Sequence, residues 1–260
     1  MEGSFGLDFT QLIFRWIHVL AGVVWIGHLY FFNWVNGPFA KTLDGDSKKK
    51  VVPQLMPRAL YWFRWGAAYT WITGILLLGM VYYMGSMLPP DGKGMTIMRS
   101  LAIVLIMPAI YDQLWLKVFK DKEAIGVAVT SVIVVFLTWY MSTFMPPRVV
   151  FIHLGMIFGT AMAMNVWMRI WAAQKLIIPA VRDGQAPDAT LVARATLRSK
   201  HNTYMSVPLL FTMISNHYPL FYGYTAGDTN IGWVLLLVLV FAGWGGTKLI
   251  YNKAAKVQGM

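Results

Sequence analysis

Apolar residues gather into seven blocks along the chain, roughly 10–35, 59–84, 97–118, 124–145, 149–173, 202–221 and 230–251. A helix needs about 20 such residues to cross a ~30 Å hydrocarbon core. Prolines punctuate the intervals: Pro38, Pro53, Pro57, Pro89, Pro90, Pro146 and Pro147. Proline lacks the N–H that continues a helix, so breaks are expected there. The pattern predicts an all-α fold, a polytopic membrane helix bundle of about seven transmembrane helices. It reads as a single membrane domain over 1–260, with no internal repeat.

The polar intervals set the orientation. Lys41, Lys48, Lys49, Lys50 and Arg58 lie in one connection, and Lys117, Lys120 and Lys122 in another. Arg169, Lys175, Arg182, Arg194, Arg198 and Lys200 lie in a third, and Lys248, Lys253 and Lys256 follow the last block. The alternate side carries only Lys93, Arg99 and Arg148. Basic residues concentrate on the cytoplasmic side, which places the N-terminus outside and the C-terminus inside. Segments 36–58 and 174–200 are then the cytoplasmic connections. Leu191, Val192, Ala195 and Leu197 suggest a short interfacial helix leading into the sixth span.

Composition agrees. The chain is 57% hydrophobic and 13% charged, against about 25% charged for a soluble domain. The net charge of +11 is explained by inward-facing loops, so no nucleic-acid partner is expected. With no cysteine, disulfides, thiolate metal sites, iron–sulfur clusters and C-x-x-C-H haem attachment are excluded. The opening MEGSFGLDF has no basic n-region, so the first block is expected to remain as a membrane helix rather than a cleaved signal.

Five histidines carry the candidate chemistry. His201 and His217 stand 16 residues apart in one apolar stretch, roughly 24 Å along a helix. Orientation puts His18, His153 and His217 in the outer half of the bilayer, and His28 and His201 in the inner half. Neutral imidazoles on facing helices are the ligand set of a b-type haem. Gly22 follows His18 by four residues, and Gly155 and Gly159 follow His153 at small-x-x-x-small spacing; such glycines serve a flat cofactor or ordinary close helix packing. Arg15, Arg99 and Arg148 lie in the same outer layer, where haem propionates need cations. One iron takes two of the three outer histidines; His153 and His217 are favoured, on adjacent spans at matching depth, with His18 third. The inner pair, His28 and His201, with Asn202 and Asn165, could hold a second haem or a substrate. Taken singly, each histidine reads equally as a structural one bonded to a neighbouring helix. Asp112 inside the third span and Arg64 in the second read as a structural pair, or as a proton or quinone contact. Pro208 is expected to free the Tyr204 carbonyl and kink the sixth span.

Several of these stretches resemble a known family. Arg15-Trp16-Ile17-His18, Tyr61-Trp62-Phe63-Arg64-Trp65, Tyr111-Asp112, Ile152-His153 with Gly159-Thr160, and Asn165-Val166 are similar to successive spans of the bacterial cytochrome-c-linked urate oxidase (urate hydroxylase) membrane domain. The closest similarity is Leu197-Arg198-Ser199-Lys200-His201-Asn202 through Ser215-Asn216-His217-Tyr218-Pro219. The Arg-x-x-His opening also resembles copper-resistance membrane proteins and a haem-binding protoporphyrinogen oxidase family. The resemblance implies a bacterial inner-membrane oxidoreductase that passes electrons from urate to a cytochrome c. Two departures stand out: Gly66, where the family is expected to carry an acid, and His28, where it is expected to carry a small polar residue. The sequence ends at Met260 without a C-x-x-C-H segment, so a separate cytochrome c or other redox subunit is the expected partner, besides membrane lipid. Three readings follow: a subunit with one or two b haems moving electrons between a partner and a substrate or the quinone pool; a urate oxidase membrane subunit; and a cofactor-free structural subunit or transporter.

Overall fold

Ten helices and one two-residue-stranded hairpin account for nearly all of residues 2–257, which the computed structural model describes. α1 (Glu2–Tyr30) passes through a π-helical turn, Phe31–Asn36, into α2 (Gly37–Thr42). α3 (Gly45–Leu77) continues into a second π segment, Leu78–Tyr83. α4 (Lys93–Gln113) ends in a third, Leu114–Val118, and α5 (Glu123–Ser142) follows. α6 (Pro147–Met164) runs through a fourth, Asn165–Ile170, into α7 (Trp171–Arg182). α8 (Ala189–Ile214) ends in a 3-10 turn, Ser215–His217. Short α9 (Pro219–Tyr222), strands β1 (Thr225–Ala226) and β2 (Thr229–Asn230), and α10 (Gly232–Ala254) complete the chain. β1 and β2 pair antiparallel, Thr225 opposite Asn230.

Six of these helical runs are long and apolar enough to cross a membrane, so the protein is a multi-pass, all-α membrane bundle. α8 carries the sixth predicted span and differs for a physical reason. Its inward stripe is polar: Arg198, Asn202, Thr203, Ser206 and Thr212 are all buried, at helical spacing. The helix is long enough to cross, but its apolarity is diluted by the groups it hides from lipid.

Two predicted connections are mostly helix. Three runs, Phe5–Thr42, Gly45–Tyr83 and Pro147–Arg182, contain 38, 39 and 36 residues, or roughly 55 Å each against a ~30 Å core. The interval 36–58 therefore breaks only at Leu43–Asp44, and 174–200 only across 183–188. Pro53 and Pro57, expected to mark breaks, sit inside α3. They lie in its polar first turns, beside exposed Gln54 and Arg58, where water can take up the carbonyls that proline leaves unbonded. Asp188 caps α8 by accepting the N–H groups of Thr190 (2.7 Å) and Leu191 (3.3 Å). The interfacial helix expected near Leu191 is the first part of α8 itself.

The chain divides into two compact units, residues 1–75, 162–205 and 245–260, and residues 76–161 and 206–244. In the first, Trp25, Leu29, Leu60, Phe63 and Ala67 form the core between α1 and α3, with Phe32 edge-on to Phe63 at 5.3 Å. Gly66 is where these helices touch: a Cβ there would lie 3.0 Å from Trp25 N and 3.2 Å from Ala21 O. The second unit is built around α6. Its residues 149–158 are buried without interruption, so the helix is enclosed on every side. α5 turns Val132, Phe136 and Trp139 outward, as a lipid-facing helix does. Gly155 of α6 seats Thr212 of α8, which gives this glycine the packing role.

Candidate functional site

Three histidines are held in one tautomer. His153 Nδ1 lies 2.8 Å from Val149 O and His28 Nδ1 2.7 Å from Val24 O. A carbonyl only accepts, so each Nδ1 carries the proton in the neutral ring. His18 Nδ1 lies 3.1 Å from Thr73 Oγ1. Thr73 gives its single hydroxyl proton to Tyr69 O at 2.6 Å, so it accepts from His18. In all three rings the lone pair therefore falls on Nε2.

What meets Nε2 distinguishes them. His153 is 0% exposed, and the Tyr83 hydroxyl donates to its Nε2 at 3.0 Å. Ser100 Oγ lies 2.8 Å from the Tyr83 oxygen and 2.9 Å from Ile97 O, sharing one proton between two acceptors. The result is a closed polar chain, Ser100–Tyr83–His153–Val149, inside the second unit. Sequence reading missed Tyr83 and Ser100, because a tyrosine at a span end looks like part of an interfacial belt. His18 and His28 are half-buried on α1.

His217, the favoured partner of His153, is exposed in the 3-10 turn after α8. No ring contact or hydrogen bond joins it to His153 among the described residues. Its neighbour Asn216 is the built residue there: Oδ1 accepts from Arg148 Nε at 2.8 Å and from Tyr82 Oη at 3.0 Å. Arg148 also lies 6.0 Å from the Tyr222 ring and 4.0 Å from Met87 Sδ. Of the three outer arginines, Arg148 is thus tied into the second unit. Arg99 is exposed, 5.7 Å from the Phe144 ring, and Arg15 is exposed on α1.

The first unit holds the inner candidates. Asn165, in the π turn after α6, donates to Asn202 Oδ1 at 2.8 Å, and Asn202 donates to Met162 O at 3.0 Å. A π turn puts the carbonyl ladder out of step, and a side-chain amide beside it can satisfy what is left over. Asn33, in the π turn after α1, is saturated. Its amide donates to Leu29 O and Ser199 Oγ, both at 2.8 Å, and Tyr251 Oη donates to its Oδ1 at 2.9 Å. Tyr204 stacks on Tyr251 at 5.9 Å. His201 is half-buried with its Nε2 shielded from solvent. The sequence brought Asn165 and Asn202 to attention; Asn33, Ser199 and Tyr251 become visible only once helices far apart in the chain are packed.

Asp112 is 3% exposed and accepts from Gln113 Nε2 at 3.3 Å. Arg64 rests on aromatic faces in the first unit, its Cζ 4.0 Å from the Trp171 ring centroid. No group of three or more His, Cys, Asp or Glu residues able to hold a bare metal ion occurs among the described residues.

Neither the curated proteins nor the solved structures searched contain a match to this chain. A family match does exist: residues 43–259 match the family described as Urate oxidase N-terminal. The match begins after α1 and α2, so His18 and His28 lie outside it, while His153, Asn165, His201, Asn202 and His217 lie within. Covering most of a membrane bundle whose polar seam runs along α8, it shows that the chain belongs to the Urate oxidase N-terminal family.

Proposed function

We propose that this chain is a haem b-binding membrane redox subunit, moving electrons between a partner redox protein and a small substrate or the quinone pool. The observation that carries the reading is the shared tautomer. His18, His28 and His153 each pin Nδ1–H to the protein and hold the lone pair on Nε2, the form in which imidazole binds iron. The donor chemistry supports a haem ligand role for these rings. His18 and His28 have no protein donor on Nε2 among the described residues; His153 must first release the Tyr83 hydroxyl. Haem, when bound, supplies one-electron chemistry at an iron held by neutral imidazoles. The chain's own part is to fix the rings and offer an arginine of the same helix to the propionates, Arg15 on the helix of His18 and Arg148 on that of His153.

Urate as the electron source is the second reading, favoured by the family match. A separate cytochrome c in the bacterial inner membrane would then be the outlet.

A reduced-minus-oxidised optical spectrum of the purified protein tests the first reading. The expected result is b-type bands, diminished in His18→Ala and in His153→Ala. A flat spectrum from a fully assembled preparation refutes it. Reduction of the bands by urate selects the second reading.

A further inference from the structure

Arg64 and Lys175 converge on one indole of the first unit. Arg64 Cζ lies 4.0 Å from the Trp171 ring centroid, and Lys175 Nζ lies 6.0 Å from the same ring. Trp167 and Tyr61 stand 5.9 and 5.7 Å from the guanidinium. Neither cation has an ion-pair partner among the described residues, and Arg64 Nε is buried with no hydrogen-bond acceptor. The protein thus holds two like charges at one ring and meets little of their hydrogen-bonding capacity. Stacking on an indole covers one face of a guanidinium, and with Nε buried the terminal Nη pair is the part of Arg64 that can take a phosphate or carboxylate in two parallel bonds.

Depth in the sequence indicates which anion. The apolar part of α3 begins at Ala59, just past Arg58 and the run Lys48–Lys50. Arg64 is five residues further, roughly 8 Å along the helix. It sits beside exposed Tyr61, Trp62 and Trp65, an aromatic belt at headgroup level. Lys175 is exposed on α7.

We propose that Arg64 and Lys175, on the Trp171 platform, bind the phosphate of an anionic phospholipid in the leaflet on the basic side of the protein. Arg64 supplies the fork, Lys175 a second charge, and the aromatic residues contact the glycerol and upper acyl region. No hydrogen bond or ring contact joins Arg64 or Lys175 to a histidine among the described residues, and the test does not depend on any cofactor.

The full chain is delipidated in detergent and offered phosphatidylglycerol and phosphatidylcholine in equal amounts, and retained lipid is counted by native mass spectrometry. The wild type is expected to retain phosphatidylglycerol preferentially. Arg64→Gln and Lys175→Gln should each lower that preference about fivefold, the effect of one basic residue near a membrane surface. Arg64→Lys should lower it too, because lysine keeps the charge and loses the fork. Lys175 is exposed, so Lys175→Gln reads the site even where an Arg64 variant folds poorly. Unchanged preference in both Gln variants overturns the proposal. So does displacement of the lipid by excess inorganic phosphate, which would make this a soluble-anion site.

Discussion

Replacing Gly66 by alanine adds one methyl group where two helix backbones meet. The new Cβ would lie 3.0 Å from Trp25 N, 3.2 Å from Ala21 O and 3.3 Å from Trp25 Cα. None of these is the end of a flexible side chain, so α3 must shift away from α1 by several tenths of an ångström. That loosens Leu29, Phe63 and Ala67, each at most 1% exposed. Overpacking of this kind costs about 1–3 kcal/mol, and alanine's better helix propensity returns only about 1 kcal/mol of it. Gly22 on α1 is the internal control. Its added Cβ would meet only the Thr70 side chain, Cγ2 at 3.8 Å and Oγ1 at 4.0 Å, both ordinary contacts, so Gly22→Ala should be neutral or mildly stabilising. The assay is the apparent unfolding temperature of the two variants in one detergent, followed by fluorescence-detected size exclusion. At about 2–4 °C per kcal/mol for a chain of this size, Gly66→Ala should melt several degrees below Gly22→Ala. Equal melting temperatures would refute the close-approach reasoning. The same geometry accounts for glycine where the family resemblance implied an acid: a carboxylate at position 66, which is buried against backbone, would have neither space nor water.

Three further outcomes are expected. Tyr83→Phe strands the buried Nε2 of His153 and should cost ~1–3 kcal/mol, whereas Tyr83→Phe with His153→Leu, which removes both partners, should cost less than the sum of the single changes by thermal melting. Asn202→Ala and Asn165→Ala should each lower the melting temperature by several degrees, because each strands a buried amide, and the double variant should fall short of additivity; full additivity would mean that the 2.8 Å bond between them contributes nothing. The N–H groups of Thr190 and Leu191 hold the Asp188 carboxylate below its ordinary range. The α8 cap is therefore present at neutral pH, survives as pH falls through the ordinary carboxylate range of about 4, and is lost only below it; hydrogen exchange at those two amides should show this, and Asp188→Asn should keep the cap without the pH dependence.

The arrangement of apolar and charged blocks was enough to determine an all-α membrane bundle, because water and lipid sort residues by polarity before any specific contact forms. The α8 stretch from Arg198 to His217 also stood out, since polar groups inside an apolar run must be satisfied by something. What satisfies them is a matter of tertiary structure. That Asn202 meets Asn165, that Thr73 orients His18 and that Tyr83 closes on His153 depend on helix registers and crossing angles that hydropathy does not encode. The pairing of His153 with His217 was inferred from matching depth on adjacent spans. The structure gives one ring a sealed polar chain inside α6's surroundings and the other an exposed turn. Depth follows from position along one helix, but direction around it follows from packing, and only packing could make Gly66 the contact point of α1 and α3 and bring Arg64 of α3 onto the ring of Trp171.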